Sequence, residues 1–85
     1  MRISIISPER SVFSGEAASV TAPAYDGRVG ILPRHAPFMT LLGEGTLRVA
    51  QDGETRAFQV RGGFLQVIND VISVVAEYAE GDEDA

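Results

Sequence analysis

Apolar positions in this chain come in short runs, broken by Gly, Pro or Asp-Gly at intervals of about 8–12 residues, the spacing of an all-β sandwich or barrel. Arg2–Ser7 sets Ile3 and Ile5 on one face and Ile6 on the other, and reads as a first strand ended at Ser7-Pro8. A short apolar patch around Val12 and Phe13 is closed by Gly15. Glu16–Ala22 reads as a strand that Pro23 stops. Asp26-Gly27 signals a turn, and so do Gly43 and Gly45 around Glu44, after the apolar run Phe38–Leu42. Thr46–Ala50 and Thr55–Val60 alternate about Asp52-Gly53 and make the clearest hairpin. Gly62-Gly63 then breaks the pattern.

Phe64–Glu80 supports two readings. Phe64, Val67, Ile68, Val71, Ile72 and Val75 fall on one helical face, with Gln66, Asn69, Asp70, Ser73, Glu77 and Glu80 opposite. Yet the apolar positions are mostly valine and isoleucine, which lose rotamer freedom in a helix and fit a pleated surface. Asn69-Asp70 then becomes a hairpin tip joining Phe64–Ile68 to Val71–Glu77. The pattern leaves helix and hairpin both open, with propensity on the side of the hairpin.

Gly30–Pro37, reading GILPRHAP, stands apart. Pro33 and Pro37 each remove a backbone donor and push Leu32 and Ala36 toward extended geometry, so neither a central strand nor a helix runs through both. A stiff, turning ribbon between apolar runs suits a surface that another molecule reads.

At 85 residues the chain is a single small domain, which buries only about 60–65% of its unfolded surface and gains from a partner. Acidity is confined to the end. Glu77, Glu80, Asp82, Glu83 and Asp84 lie in the last nine residues, whereas residues 1–76 hold seven acids against seven arginines. Residues 81–85 are therefore expected to be an acidic disordered tail on a domain spanning 1–80. A neutral body without a basic stripe argues against nucleic acid. No apolar stretch is long enough for a transmembrane helix, and residues 1–15 do not have the form of a secretory signal.

The chemistry on offer is thin. With no cysteine and one histidine, neither a disulfide framework nor a three-ligand metal site is expected. His35 has no nucleophile or acid near it in a catalytic spacing, so a loop histidine bonded to backbone or packed at an interface is the favoured reading. Gly43-x-Gly45 and Gly62-Gly63 do not open a helix with a following lysine and hydroxyl, so they read as turns rather than phosphate cradles. From the residues alone, no enzyme and no cofactor is expected, only a small β interaction module.

DGRVGILPRHAPFMTLLGEGTLRV (residues 26–49), followed by RGGFLQVINDVISVVAE (residues 61–77), resembles the epsilon subunits of bacterial F-type ATP synthases, with FSG and VTAP upstream in matching order. The resemblance implies a flattened β-sandwich of about ten short strands, which decides residues 64–77 as strands. It implies a non-catalytic rotor subunit of the central stalk, coupling proton translocation to ATP synthesis on the cytoplasmic face of the bacterial inner membrane, peripheral to it. Partners implied are the gamma subunit, the ring of c subunits and, indirectly, the catalytic alpha/beta head. Carried over by position, Ser7, His35 and Thr40 belong to the gamma-facing surface. Asp26, Gly27, Arg28, Val29, Gly30 and Ile31 belong to the loop that meets the c-ring. Family members often carry an acid where this chain has Arg28, so the facing c-ring loop is expected to be less basic or to carry an acid. Typical members continue into a two-helix domain that can inhibit ATP hydrolysis and in some binds ATP. This sequence stops at Ala85, and the expectation is coupling without that inhibition. The alternative of another class is a free-standing β-sandwich adaptor using the same ribbon.

Overall fold

The structure is a computed structural model describing residues 1–81, and every regular element in it is a strand. The strands are β1 (Arg2–Ile6), β2 (Ser11–Glu16), β3 (Ser19–Ala24), β4 (Gly27–Ile31), β5 (Phe38–Leu41), β6 (Glu44–Gln51), β7 (Glu54–Ile68) and β8 (Val71–Gly81). They hydrogen-bond in the order β2-β1-β8-β7-β6-β3-β4, with β5 beside β7. All pairs are antiparallel except β1 with β8.

The long hairpin β7–β8 organises the rest. Its register is constant from Phe58↔Gly81 to Ile68↔Val71, with only Gly62 and Glu77 left out of the ladder. The other edge of β7 is shared, with Glu54–Arg61 pairing β6 and Phe64–Val67 pairing β5. The buried side of β7 changes parity at the handover. Phe58 and Val60 are buried before it, Leu65 and Val67 after it. The partner strand does the same, with Ile72, Val74 and Ala76 buried and then Ala79. In a strand of period two such a flip requires a local rotation of the backbone. Gly62 and Gly63 supply it at φ +71° and +100°, values that a side chain disfavours. A Cβ on Gly63 would stand 1.9 Å from the Val75 carbonyl oxygen, so the position admits only glycine.

One layer thus holds β5, the second half of β7, the first half of β8, β1 and β2. The other holds β4, β3, β6 and the remaining halves. Their inner faces share one apolar cluster, including Ile3, Ile5, Ile31, Leu47, Leu65, Ile72 and Val74, and among the described residues no polar side chain is buried. Phe13 and Phe58 meet with ring centroids 5.2 Å apart.

The all-β sandwich expected from the sequence is what forms, and the helical reading of residues 64–80 fails. Eight segments rather than ten carry it, because β7 and β8 each serve both layers. Gly62-Gly63 does not break a strand but lies inside one. Gly15 does not close its patch, since it pairs with Ile3 within β2. Pro23 lies inside β3, where it ends the pairing with β6 at Thr21↔Arg48 while pairing with β4 continues to Ala24↔Gly27. The turn expected at Asp26-Gly27 is centred one residue earlier, on Tyr25-Asp26, with Gly27 opening β4. Glu44 and Gly45 form no turn, as β6 already begins there and Gly45 pairs with Val60. β8 runs through Gly81, and the rest of the expected acidic tail lies outside the described residues.

Candidate functional site

The layer containing β5, β7, β8 and β1 has an outer face that is apolar where water would be expected. Cross-strand neighbours share a face. The pairs Leu41↔Phe64, Phe64↔Val75 and Val75↔Ile6 therefore place Leu41, Phe64, Val75 and Ile6 in one row across four strands, about 14 Å wide. Leu41 is 60% exposed, Ile6 39% and Phe64 36%. Met39, Ile68 and Val71 extend the apolar character along the same face, interrupted by the polar row Gln66–Ser73–Ser4. An exposed patch of this extent marks a contact surface more often than a free one.

One end of this face is built by the proline ribbon and the tip of β7–β8. Leu32–His35 is a tight turn closed by the His35 N–H donating to the Leu32 carbonyl at 3.2 Å. Pro33 sits at its second position and Arg34 at its third, with φ +69°, the sign a type II turn needs and which normally selects glycine. Arg34 is held there from outside, because its N–H donates to Asp70 Oδ1 at 2.6 Å. Asn69 and Asp70 are themselves left-handed, at φ +52° and +63°, the signature of a type I′ hairpin turn. Three non-glycine residues in that sparsely populated region thus meet at one point, a concentration associated with working surfaces. His35 stacks on Phe38 with centroids 4.9 Å apart. Its Nδ1 lies 2.8 Å from the Ala36 carbonyl, which can only accept, so Nδ1 is the donor in this contact.

The residues expected to face gamma are not gathered into one cluster. Ser7 follows Ile6, level with Val75, and its hydroxyl bonds Glu9 and the Arg10 carbonyl. His35 lies by Asn69-Asp70, at the opposite end of the face, five strand residues or about 16 Å along β8. Thr40 pairs with buried Leu65, so it points to the inner side of β5 while Met39 and Leu41 point out. The loop expected to meet the c-ring is the β3–β4 hairpin. Asp26, Gly27, Arg28 and Gly30 are exposed there and Val29 is half-buried, but Ile31 is 1% exposed and belongs to the core. Arg28 does not reach outward freely, since its Nη2 donates to the Thr46 carbonyl at 3.2 Å.

The sequence reading missed the apolar row itself. Its signal was present: in Phe64–Ile68 and Val71–Val75 both parities are apolar, whereas a strand with one wet face alternates. Among the described residues no cluster of three His, Cys, Asp or Glu is placed to hold a metal, and no helix is long and apolar enough to cross a membrane.

Comparison with known proteins gives this surface a context. Residues 1–82 match the family described as ATP synthase, Delta/Epsilon chain, beta-sandwich domain. The ATP synthase epsilon chain of Desulforamulus reducens is 51% identical over 79 residues, which are 93% of this chain and 60% of that protein. The epsilon chain of Roseiflexus sp. is 42% identical over 80 residues, or 94% of this chain and 58% of that one. The chain thus spans about three-fifths of the length of these curated relatives. Against the epsilon chain of Caulobacter vibrioides, 42% identical, the match covers 93% of this chain and 92% of the relative. In fold the chain is similar to one in the Euglena gracilis mitochondrial ATP synthase OSCP/F1/c-ring structure, with TM-score 0.85 and 22% identity, covering 93% of this chain and 51% of that one. A chain of the Tetrahymena thermophila mitochondrial ATP synthase central stalk/c-ring structure gives TM-score 0.77 at 14% identity, covering 93% and 64%. By the family match and by these relatives, the chain belongs to the β-sandwich domain family of ATP synthase delta/epsilon chains.

Proposed function

We propose that this chain is a non-catalytic rotor subunit of the ATP synthase central stalk, docking on the gamma subunit through its outer sheet face and on the c-ring through the β3–β4 hairpin. The supporting observation is the row Leu41–Phe64–Val75–Ile6, an apolar band on a sheet that already has a complete core on its other side. Burying such a band stabilises a complex by about 25 cal/mol per Å2 of apolar surface removed from water. Ser7 and His35, at opposite ends of this face, frame the gamma contact, whereas Thr40 bears on it from the inner side of β5. Asp26–Gly30 forms the c-ring contact. In a rotor the useful property is stiffness. A sheet whose two longest strands belong to both layers passes load from one end to the other without a hinge. Proton translocation is coupled to ATP synthesis through that rigid connection, on the cytoplasmic face of the membrane that holds the complex.

Co-purification with gamma is the test. The chain should be retained by its cognate gamma subunit. Phe64→Asp should abolish retention while costing the free chain only about 1–2 kcal/mol, because Phe64 is 36% exposed and lies outside the core cluster. Retention of Phe64→Asp at parental affinity refutes this docking face.

A further inference from the structure

We infer that Arg28 is a positioning residue: its guanidinium crosses Pro23 to supply the Thr46 carbonyl with the donor that proline lacks, and so fixes the hairpin tip. In an antiparallel strand the N–H and C=O of one residue point to the same neighbour, and alternate residues point to opposite neighbours. Ala24↔Gly27 brackets the two-residue turn, so Ala22 and Ala24 point at β4 while Thr21 and Pro23 point at β6. The Pro23 carbonyl confirms the direction by accepting from the Gly43 N–H at 2.9 Å. Pairing with β6 ends at Thr21↔Arg48, and beyond it the register shifts, with Ala24 bridging Leu42 and the Tyr25 N–H donating to the Leu41 carbonyl at 3.1 Å. On β6, Gln51 pairs with Glu54 across the turn to β7, so odd residues point at β7 and Thr46, like Arg48, points at β3. On this edge of β3, Thr21 is paired with Arg48, Tyr25 gives its N–H to Leu41, and Pro23 between them has none, so no β3 N–H is left for the Thr46 carbonyl.

Arg28 is the β4 partner of Pro23, and its Nη2 reaches the Thr46 carbonyl at 3.2 Å. The side chain replaces the missing rung between β3 and β6 and straps β4 to β6 across the intervening strand. It does so beside Gly45, where a Cβ would come within 3.3 Å of the Pro23 ring and crowd the passage. The functional part rests on the reading of Asp26–Gly30 as the c-ring contact. On that reading Arg28 acts by holding the hairpin at a fixed angle to the sandwich rather than by presenting charge to the ring.

The test is amide hydrogen exchange on the purified chain, with Arg28→Met in the parent and in a Pro23→Ala background that restores the N–H. In the parent, Arg28→Met should speed exchange at Ala22, Ala24, Gly27 and Val29 by about two- to tenfold, the range of a single net hydrogen bond. In the Pro23→Ala background the same substitution should change these rates by less than about twofold. Equal acceleration in both backgrounds, or none in the parent, overturns the brace. Should Pro23→Ala fail to fold, the Thr46 carbonyl carbon resonance decides. It moves upfield in Arg28→Met when an accepted bond is lost, and an unmoved resonance overturns the proposal. No partner takes part in these measurements, so their failure leaves the c-ring reading standing. Failure of Asp26→Cys to cross-link to the c-ring in the assembled synthase would remove that reading and leave the brace.

Discussion

Gly63→Ala is the substitution that most directly tests how the two layers are joined. A Cβ there would lie 1.9 Å from the Val75 carbonyl oxygen and 2.9 Å from the Ala76 Cα, both backbone atoms that cannot rotate aside. Relief demands parting β7 from β8 around Gly63↔Ala76 and Phe64↔Val75, in the middle of the longest ladder. The φ of +100° adds a left-handed penalty of about 1–2 kcal/mol, and overpacking adds about 1–3 kcal/mol. With one ladder bond lost at about 1 kcal/mol, the cost comes to about 3–6 kcal/mol. An 85-residue domain holds only about 4–13 kcal/mol in total. Urea unfolding followed by far-UV circular dichroism should show the midpoint falling by about 2–4 M or the fold lost outright, at a slope near 1.5 kcal/mol/M. Gly62→Ala is the control. Its obstacle is the Glu77 carboxylate, 2.5 Å from the added carbon but free to swing into solvent. Only the backbone penalty of about 1–2 kcal/mol remains there. A Gly63→Ala midpoint within about 0.5 M of the parent, or a larger loss at Gly62 than at Gly63, would refute the account of the crossover.

Three further outcomes follow from the site. Asp70→Ala should destabilise by about 1–2 kcal/mol in the same assay, by releasing the Arg34 N–H and placing alanine at positive φ. Asp70→Asn, which keeps the acceptor and tolerates that conformation, should cost less than half as much, and equal losses would dismiss the contact. Tyr78 hydrogen-bonds Glu80, which with desolvation and the Glu80 charge holds its phenol proton above the usual value of 10.0, against a smaller opposing pull from Arg61. Because the folded state favours the neutral phenol, the contribution is present below pH 10 and is lost as pH rises through the raised value. Ultraviolet titration should show Glu80→Gln lowering the Tyr78 midpoint, and no movement would assign the shift elsewhere. Ile6→Asp should weaken retention by gamma as Phe64→Asp does, while Ser4→Asp, in the polar row of the same face, should weaken it less; equal losses would deny that the row is the contact.

Much of this fold could be read from residue types. The Asp52-Gly53 hairpin forms as the alternating runs require, with Asp52 at φ +55° and Gly53 at φ +80°. Asn69-Asp70 is a turn for the same reason. What misled was local chemistry judged without neighbours. Pro23 looked like a stop, but its missing donor faces the one edge where pairing was ending. Gly62-Gly63 looked like a break because a parity flip inside one strand has no signature in composition. Phe64–Val75 imitated a helix because each of its strands is apolar on both sides, one side for the core and the other for the exposed face. The contact surface was therefore visible in the residues, disguised as a question of secondary structure. Ile31 was misassigned to the surface because a hairpin loop and the strand it runs into cannot be separated by spacing alone.

The parallel pairing of β1 with β8 also sets the order in which the chain can settle. β1 and β2 come together early, but the other edge of β1 stays open until Val71–Val75 leaves the ribosome, 55 residues after Glu16. At typical translation speeds that interval is about 3–11 s, long compared with hairpin formation. During those seconds Ile3 and Ile5 lack Ile72 and Val74, the neighbours that flank them in the finished sheet. The nascent chain is then at its stickiest, and β1 waits for β8.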